Sequence, residues 1–97
     1  MKNEIINREI LCIGTQQEVA AAITAALWPG IKPNATMIRL FCDYFKTQRQ
    51  IRKLYRKSNV FTYNGIGIDI TPRAMACWIE DAETVRRFRE SALSAKK

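Results

Sequence analysis

The sequence predicts a small α+β domain that is mainly helical and contains one β-hairpin. Three observations predict it: a helix-start motif at Thr15, a long helical pattern over residues 35–58, and the dipeptide Asn64-Gly65 between two runs with strand-like alternation. The length of 97 residues suits one compact core. The content of 47% hydrophobic and 26% charged residues is typical of a folded globular chain. We therefore expect a single domain over residues 1–97.

The first two expected elements are a strand and a helix. The short apolar segment over residues 9–14 is compatible with a strand. Thr15 and Glu18 have the spacing of a capping box, in which each side chain accepts a hydrogen bond from the other residue's backbone N–H. A helix should therefore begin at Gln16. Its apolar residues recur at helical spacing and stop before Trp28-Pro29-Gly30, a turn signal.

A second helical segment follows this turn. Asn34 is suited to cap it, and the helical pattern continues over residues 35–58. Thr47 could also act as an N-cap. A turn between Tyr44 and Thr47, which would divide the segment into two helices, is therefore an alternative to one long helix.

The clearest local signal is a hairpin over residues 60–70. Asn64-Gly65 supplies the two positive-φ residues of a type I′ turn, and Ile66, Ile68 and Ile70 alternate with Gly67 and Asp69. We expect the isoleucines to face the core. After the hairpin, Thr71-Pro72 has the N-cap and N1 signature of a helix that would carry Trp78.

Charge divides the chain into a neutral and a basic half. Residues 1–45 have no net charge, whereas residues 46–97 hold twelve basic and five acidic side chains and so carry the whole net charge of +7. Segregated positive charge favours a polyanionic partner, and we rank nucleic acid above a membrane surface. The chain has no histidine, which excludes Ser-His, Cys-His and His-metal chemistry.

The three cysteines, Cys12, Cys42 and Cys77, are expected to be reduced residues of the apolar core. They are odd in number and form no Cys-x-x-Cys pair. No apolar run approaches the ~20 residues that span a bilayer, and no signal-peptide pattern follows the start. We therefore expect a cytoplasmic protein without membrane contact, metal or cofactor.

The candidate functional residues lie in the densest basic segment. Six cations occur in twelve residues, with no acid between Asp43 and Asp69, and two glutamines suited to adenine edges lie among them. The candidate DNA-binding residues are Lys46, Gln48, Arg49, Gln50, Arg52, Lys53, Arg56 and Lys57. On a helix, four of the cations share one face, and we expect Ile51, Leu54 and Tyr55 to turn inward. Such a helix could lie in a DNA major groove.

The order of helix, basic helix, hairpin and short Trp-bearing helix is that of a winged helix-turn-helix domain. The segment IRKLYRKSNVFTYNGIGIDITPRAMACWIED, residues 51–81, resembles the small winged-helix excisionases and related regulators of phages and mobile elements. The resemblance implies a recognition helix over residues 49–57, a wing at Asn64-Gly65 and an anchor at Trp78-Ile79. It also implies a protein that bends or marks DNA at recombination sites without catalysis, often as a homo-oligomer on DNA, and that in some cases represses transcription.

Two other function classes were compared with DNA binding. A small basic inhibitor or adaptor could dock on an acidic surface of a host DNA-processing enzyme, since exposed aromatic residues and arginines favour protein interfaces. An enzyme is the least favoured class. The only acidic cluster, Glu80, Asp81 and Glu83, is better suited to the first turn of a helix than to a metal, and no phosphate-binding glycine loop is present. We therefore predict a non-catalytic binding protein.

Overall fold

The structure is a computed structural model that describes residues 9–95, with side chains described to residue 92. Its elements follow the order β1 (Glu9–Gly14), α1 (Gln16–Leu27), α2 (Ala35–Leu54), β2 (Val60–Tyr63), β3 (Ile66–Asp69), β4 (Met75–Ile79) and α3 (Ala82–Ala95). The predicted α+β class is confirmed. The sheet is larger than expected, because four strands are present instead of one hairpin and an N-terminal strand.

Helix α1 begins where the capping box predicts. The Thr15 hydroxyl accepts a hydrogen bond from the Glu18 N–H at 3.2 Å, and the Glu18 carboxylate accepts one from the Thr15 N–H at 2.8 Å. These two bonds satisfy backbone donors that the first turn leaves unpaired. The hydrogen bond from the Thr15 N–H to the carboxylate is the main cause that lowers the pKa of Glu18. The helix ends at Leu27, before Trp28-Pro29-Gly30, as predicted.

Helix α2 is one continuous helix of 20 residues. The Asn34 side chain caps it by accepting a hydrogen bond from the Met37 N–H at 2.8 Å, which confirms the predicted start. The alternative turn between Tyr44 and Thr47 is absent. The side of α2 that faces the core at its start therefore also faces the core at its basic end. Within residues 9–95, no helix combines the length and apolar character needed to cross a membrane.

The four strands form one antiparallel sheet in the order β1-β4-β3-β2. The predicted hairpin is confirmed: β2 and β3 pair through Asn64 and Gly65, whose φ angles are 51° and 88°. The three helices cover one face of this sheet, where Ile66, Ile68 and Ile70 are fully buried as expected.

The hairpin belongs to the core sheet and does not project as a wing. β3 is a central strand, and the turn packs against the start of α3. The Gly65 carbonyl accepts hydrogen bonds from the N–H groups of Glu80 and Asp81 at 2.9 and 3.0 Å. A Cβ on Gly65 would lie 2.6 Å from the Asp81 carbonyl oxygen, so the turn is held in close contact.

The expected helix after Thr71-Pro72 is wrong. Residues 71–74 form a turn that is closed by a hydrogen bond from the Ala74 N–H to the Thr71 carbonyl at 3.0 Å, and β4 follows. Proline favours the second position of a turn as much as the first turn of a helix, so the local signal was ambiguous. Pairing of β4 with both β1 and β3 decides for the strand.

Trp78 lies on the sheet face opposite the helices. Its indole covers Gly67 so closely that a Cβ on this glycine would overlap the ring. The indole N–H donates a hydrogen bond to the Glu80 carboxylate at 2.7 Å. Trp78 is thus 8% exposed within a strand and is not the anchor of a short helix.

Candidate nucleic-acid interface

The orientation of α2 is set by two phenylalanines. Phe41 and Phe45 are 9% and 0% exposed and pack into the core. Arg49 and Arg52 follow Phe45 by four and seven residues, and these spacings place them on the same side of the helix. Both arginines are half-buried in the structure.

The predicted orientation of the basic segment is therefore wrong. Ile51, Leu54 and Tyr55 were expected to face inward, but they are 41%, 75% and 67% exposed. Because α2 is continuous, it cannot turn Ile51 and Leu54 inward while Phe45 stays buried. Burial of the large Phe45 side chain contributes the greater free energy, so Ile51 and Leu54 face outward. Arg49 and Arg52, two of the four cations that were expected to form a free cationic face, are turned toward the sheet.

Arg49 holds helix α2 to the turn that precedes β4. Its Nε–H donates a hydrogen bond to the Ile70 carbonyl at 2.8 Å, and its Nη2–H donates one to the Met75 sulfur at 3.1 Å. Ile70 and Met75 are both buried. A hydrogen bond from a charged donor to a buried carbonyl is a strong one. Arg49 therefore has a structural role.

Arg52 is also held within the molecule. Its Nη1 donates to the Ser58 carbonyl at 2.9 Å, its Nε donates to the Gln48 side chain at 3.3 Å, and its guanidinium lies 4.3 Å from the centre of the Phe61 ring. Gln48 is half-buried and serves as this acceptor. Of the two glutamines predicted to read bases, only Gln50 is exposed.

The remaining predicted cations are exposed. These are Lys46 and Lys53 on α2, and Arg56 and Lys57 after its end. The helix ends in a Schellman motif, in which the Lys57 N–H donates to the Arg52 carbonyl at 2.7 Å and the Arg56 N–H donates to the Lys53 carbonyl at 3.3 Å. Arg56 has a φ of 55° at the position where glycine is usual.

A second arginine with positive φ lies at the same end of the molecule. Arg73 has a φ of 73° in the turn over residues 71–74, after Pro72, where a type II turn favours glycine. This turn is tied to the segment after α2, because the Ile70 N–H donates to the Asn59 carbonyl at 3.0 Å and the Asn59 amide reaches the Thr71 hydroxyl at 3.5 Å.

We call this surface the cationic end. Its exposed members are Lys53, Arg56, Lys57 and Arg73. Arg73 was not among the predicted residues, since it is isolated in the sequence and only the pairing of the two turns brings it here. Arg39 was also missed. It precedes Lys46 and Lys53 by seven and fourteen residues, a spacing that places three exposed cations along one side of α2 and that the sequence does contain.

The acidic cluster at the start of α3 is occupied by local contacts. Asp81 accepts hydrogen bonds from the Thr84 hydroxyl at 2.7 Å and from the N–H groups of Thr84 and Glu83, and the bonds from Thr84 lower its pKa most. Glu83 pairs with Arg86 and Arg87, and the hydrogen bond from Arg86 lowers the pKa of Glu83. Within residues 9–95, no three or more Cys, Asp or Glu side chains are placed so that they could hold a metal ion.

The cationic end differs from α3 in its electrostatics. On α3, Arg86 and Arg87 are neutralised by Glu83 and Glu90. In the described part of the chain, no ion pair involves a member of the cationic end. Its positive charge is therefore available to a partner, and exposed cations of this kind attract phosphate groups through long-range fields.

The cysteines are free thiols, as expected, but only Cys77 is fully buried. Cys12 and Cys42 are half-buried, and Cys12 is the cross-strand neighbour of Cys77. Burial raises the pKa of Cys77 to about 12. A thiol with this pKa stays protonated and is a poor nucleophile near neutral pH.

The site thus offers fixed positive charge and hydrogen-bond donors, and it suits binding of an anionic polymer. No protein family, curated protein or solved structure matches this chain. Any statement about what the protein does therefore depends on the geometry described above.

Proposed function

We propose that this protein is a non-catalytic DNA-binding protein that contacts the phosphate backbone through the cationic end. The observation that supports this proposal is that the bonds from Asn59 to Ile70 and Thr71 bring the turn of Arg73 beside the segment that carries Lys53, Arg56 and Lys57. All four cations are exposed, and none takes part in an ion pair within residues 9–95. Lysine and arginine side chains that neutralise phosphates supply most of the sequence-independent affinity for DNA.

The backbone conformation gives independent support. Arg56 and Arg73 both occupy the left-handed region, which costs a non-glycine residue roughly 1 kcal/mol. Glycine would remove that cost at either position. Arginine at both sites on one surface is what we expect where the charge itself is required.

The proposed contact is made by the end of helix α2 and by the neighbouring turn. The inner side of α2 packs on the sheet and the hairpin turn packs against α3, so the exposed side of α2 and its end are the parts open to DNA. Lys46 and Arg39 extend the positive charge along α2, and Gln50 is the exposed side chain beside them that could contact a base edge. The relation to excisionases and phage regulators stays a prediction.

Binding to duplex DNA as a function of salt tests the proposal. We expect fluorescence anisotropy with a labelled 25-base-pair duplex to show weaker binding as salt rises, because bound cations release counterions from DNA. The variant Lys53→Gln/Arg56→Gln/Arg73→Gln should lower the magnitude of the log-log slope by about 3, at about 0.9 for each lost phosphate contact.

A control variant removes one charge outside the cationic end. Arg87→Gln deletes an exposed cation of α3 that Glu83 already neutralises, and it should leave the slope within about 0.5 of the original. A triple variant that folds and binds DNA like the parent would refute the proposed site. A parent protein that shows no salt-dependent binding to duplex DNA would refute the function.

A further inference from the structure

A pocket of about 470 Å³ lies beside the cationic end. It is lined by the start of helix α1 and by the turn over residues 71–74, at the place where Gly14 of β1 pairs with Met75 of β4. We call it the turn pocket. Arg73, a member of the cationic end, is one of its lining residues. Ligand pockets typically have volumes of about 300–1,000 Å³, so this one has room for a ligand of the size of a nucleotide.

Arg49 brings unused hydrogen-bond donors to the turn pocket, which it also lines. Its Nε and Nη2 donate to the Ile70 carbonyl and the Met75 sulfur, but its Nη1 has no hydrogen-bond partner in residues 9–95. In the described part of the chain, no fully buried side-chain nitrogen or oxygen lacks a partner, so Nη1 is accessible to solvent. A guanidinium that two bonds hold in place and that still offers N–H groups is well suited to bind a phosphate group.

Arg73 supplies a second cation to the same pocket. Its side chain is exposed, and it forms neither an ion pair nor a hydrogen bond with any other described residue. Two guanidinium groups in one pocket favour an anionic ligand, and the planar fork of each matches the oxygens of a phosphate. The phosphates of a DNA strand bound at the cationic end would lie next to the pocket, so they are the anions that it would meet.

One carboxylate lines the pocket together with the two arginines. The Glu18 Oε1 accepts the capping-box hydrogen bond from the Thr15 N–H, whereas its Oε2 accepts none from the described residues. Within residues 9–95, Glu18 forms no ion pair with Arg49 or Arg73, so both signs of charge are available to a ligand. A carboxylate accepts a hydrogen bond from the amino group of cytosine, whereas thymine has a carbonyl and a methyl group at the corresponding edge.

The rest of the lining is mostly apolar and includes Ile13, Pro72 and Ala74. Ile13 is 74% exposed, so a ligand in the pocket would cover apolar surface that now faces water. Proteins that hold an unstacked base place it between aromatic or apolar side chains and contact its edge by hydrogen bonds. A nucleotide offers the three matching parts: an anionic phosphate, a planar base and an edge with an amino group.

We propose that the turn pocket binds one unstacked nucleotide of a DNA strand, with a base that carries an amino group. Arg49 and Arg73 contact its phosphate, Ile13 and Pro72 its base, and Glu18 the amino group. A base pair within a duplex is stacked on both sides and does not enter, so Arg49 contributes to binding of a single strand and not of a duplex. The inference rests on the proposed function for its phosphate contacts, and it extends that function to unpaired DNA beside a duplex.

Two single-stranded probes test the proposal. They are fluorescein-labelled decamers of deoxycytidine and of thymidine, which carry the same number of phosphates, so that contacts with phosphate cancel in their ratio. We expect the full-length protein to bind the deoxycytidine decamer about 10-fold more tightly in fluorescence anisotropy, because only cytosine donates to Glu18. The labelled 25-base-pair duplex is measured in parallel.

Glu18→Gln tests the contact with the amino group. Glutamine is also accepted at this position of a capping box, so helix α1 should keep its start and the protein its thermal melt. Removal of the negative charge should raise the affinity for both decamers, so the readout is the ratio of their dissociation constants. The amide can donate to thymine as well as accept from cytosine, and this ratio should fall from about 10 to within about 2.

Ile13→Ser tests the apolar lining. The substitution changes an exposed side chain, so the melt should stay within a few degrees of the parent, while both decamers should bind about 5-fold more weakly. Ile10→Ser is the matched control, because Ile10 is 54% exposed on the same strand and does not line the pocket. It should bind both decamers like the parent, and both variants should bind the duplex normally.

Three results would overturn the inference. Equal binding of the two decamers by the parent would show that no carboxylate contacts the base. An unchanged ratio in folded Glu18→Gln would assign the preference to another residue, and normal decamer binding by folded Ile13→Ser would place the base outside the pocket. Normal duplex binding in these cases would leave the proposed function intact. A preference for cytosine without salt-dependent binding of the duplex would support the pocket and refute the proposed function.

Discussion

Replacement of Arg49 by methionine should destabilise the fold and leave the charges of the cationic end in place. Methionine keeps most of the unbranched stem but removes the hydrogen bond to the Ile70 carbonyl at 2.8 Å and the contact with the Met75 sulfur at 3.1 Å. A hydrogen bond from a charged group contributes about 1.5–3 kcal/mol, and the carbonyl of a buried residue would lose its donor. We expect a loss of about 2 kcal/mol in the free energy of unfolding.

A loss of this size is easily measured. For a domain of 60–100 residues, 1 kcal/mol shifts the midpoint of thermal unfolding by roughly 4–8 °C, so Arg49→Met should melt about 8–16 °C below the parent. Urea unfolding, followed by circular dichroism, gives the free energy of unfolding. An unchanged m-value would show that the variant and the parent expose the same surface area when they unfold.

Lys53→Met is the matched control for this prediction. It removes one positive charge from the same helix, one turn away, at an exposed side chain without a partner in residues 9–95. Its stability should stay within about 0.5 kcal/mol of the parent, while its salt slope for DNA should fall by about 1. The folded Arg49→Met protein should keep the parent slope. Equal melting of the two variants would refute the structural role of Arg49.

Three further predictions follow from the backbone, the core and the buried thiol. Arg56→Gly should stabilise the protein by about 0.5–1 kcal/mol in urea, because glycine removes the strain of a φ of 55°, yet it should weaken DNA binding. Ile68→Asp should cost about 4 kcal/mol or more and abolish the cooperative melt, because it places a charge at a fully buried position of a central strand. Cys77 has its pKa raised to about 12 in the folded protein. The neutral Cys77 thiol therefore contributes its full stability below pH 9, and this contribution is lost as pH rises toward 12. Relative to Cys77→Val, we expect the free energy of unfolding to fall by about 1 kcal/mol at pH 10.

Each of these predictions has its own reference variant. Lys57→Gly changes the next exposed residue, whose φ is not positive, and should not stabilise the protein. Thr62→Asp places a charge on an exposed position of β2 and should melt within a few degrees of the parent. Cys42→Val alters a half-buried thiol, so the pH-dependent difference should be smaller than for Cys77→Val. Stabilisation by Lys57→Gly would contradict the strain at Arg56, and a normal melt for Ile68→Asp would contradict the core.

Local signals in the sequence were sufficient where the physics is itself local. The Thr15 capping box, the Asn34 cap and the Asn64-Gly65 turn involve atoms a few residues apart, and all three are present as predicted. Thr71-Pro72 predicts a helix start, but the same dipeptide is also favoured in a turn, and the structure has the turn. The choice between them came from pairing of β4 with β1, which begins more than sixty residues earlier.

The candidate site required long-range information for a similar reason. Arg56 and Lys57 were predicted and are exposed, but Arg73 joins them only because the turn that contains it is bonded to the segment after α2. Nothing around Arg73 in the sequence distinguishes it from other isolated surface cations. The seven-residue spacing from Arg39 to Lys46 is a local signal that predicts a shared helix side, although residues 1–45 as a whole carry no net charge.

Local sequence patterns were enough to predict the α+β class, the first two helix starts, the hairpin with its buried isoleucines, and the excess of positive charge in residues 46–97. Tertiary structure decided which side of α2 faces the sheet. A continuous helix is nearly rigid, so burial of Phe41 and Phe45 also turned Arg49 and Arg52 toward the sheet. Ile51 and Leu54 lie on the other side of the helix and were left at the surface. Composition alone could not show that two of the arginines hold the fold together while others remain available to a partner.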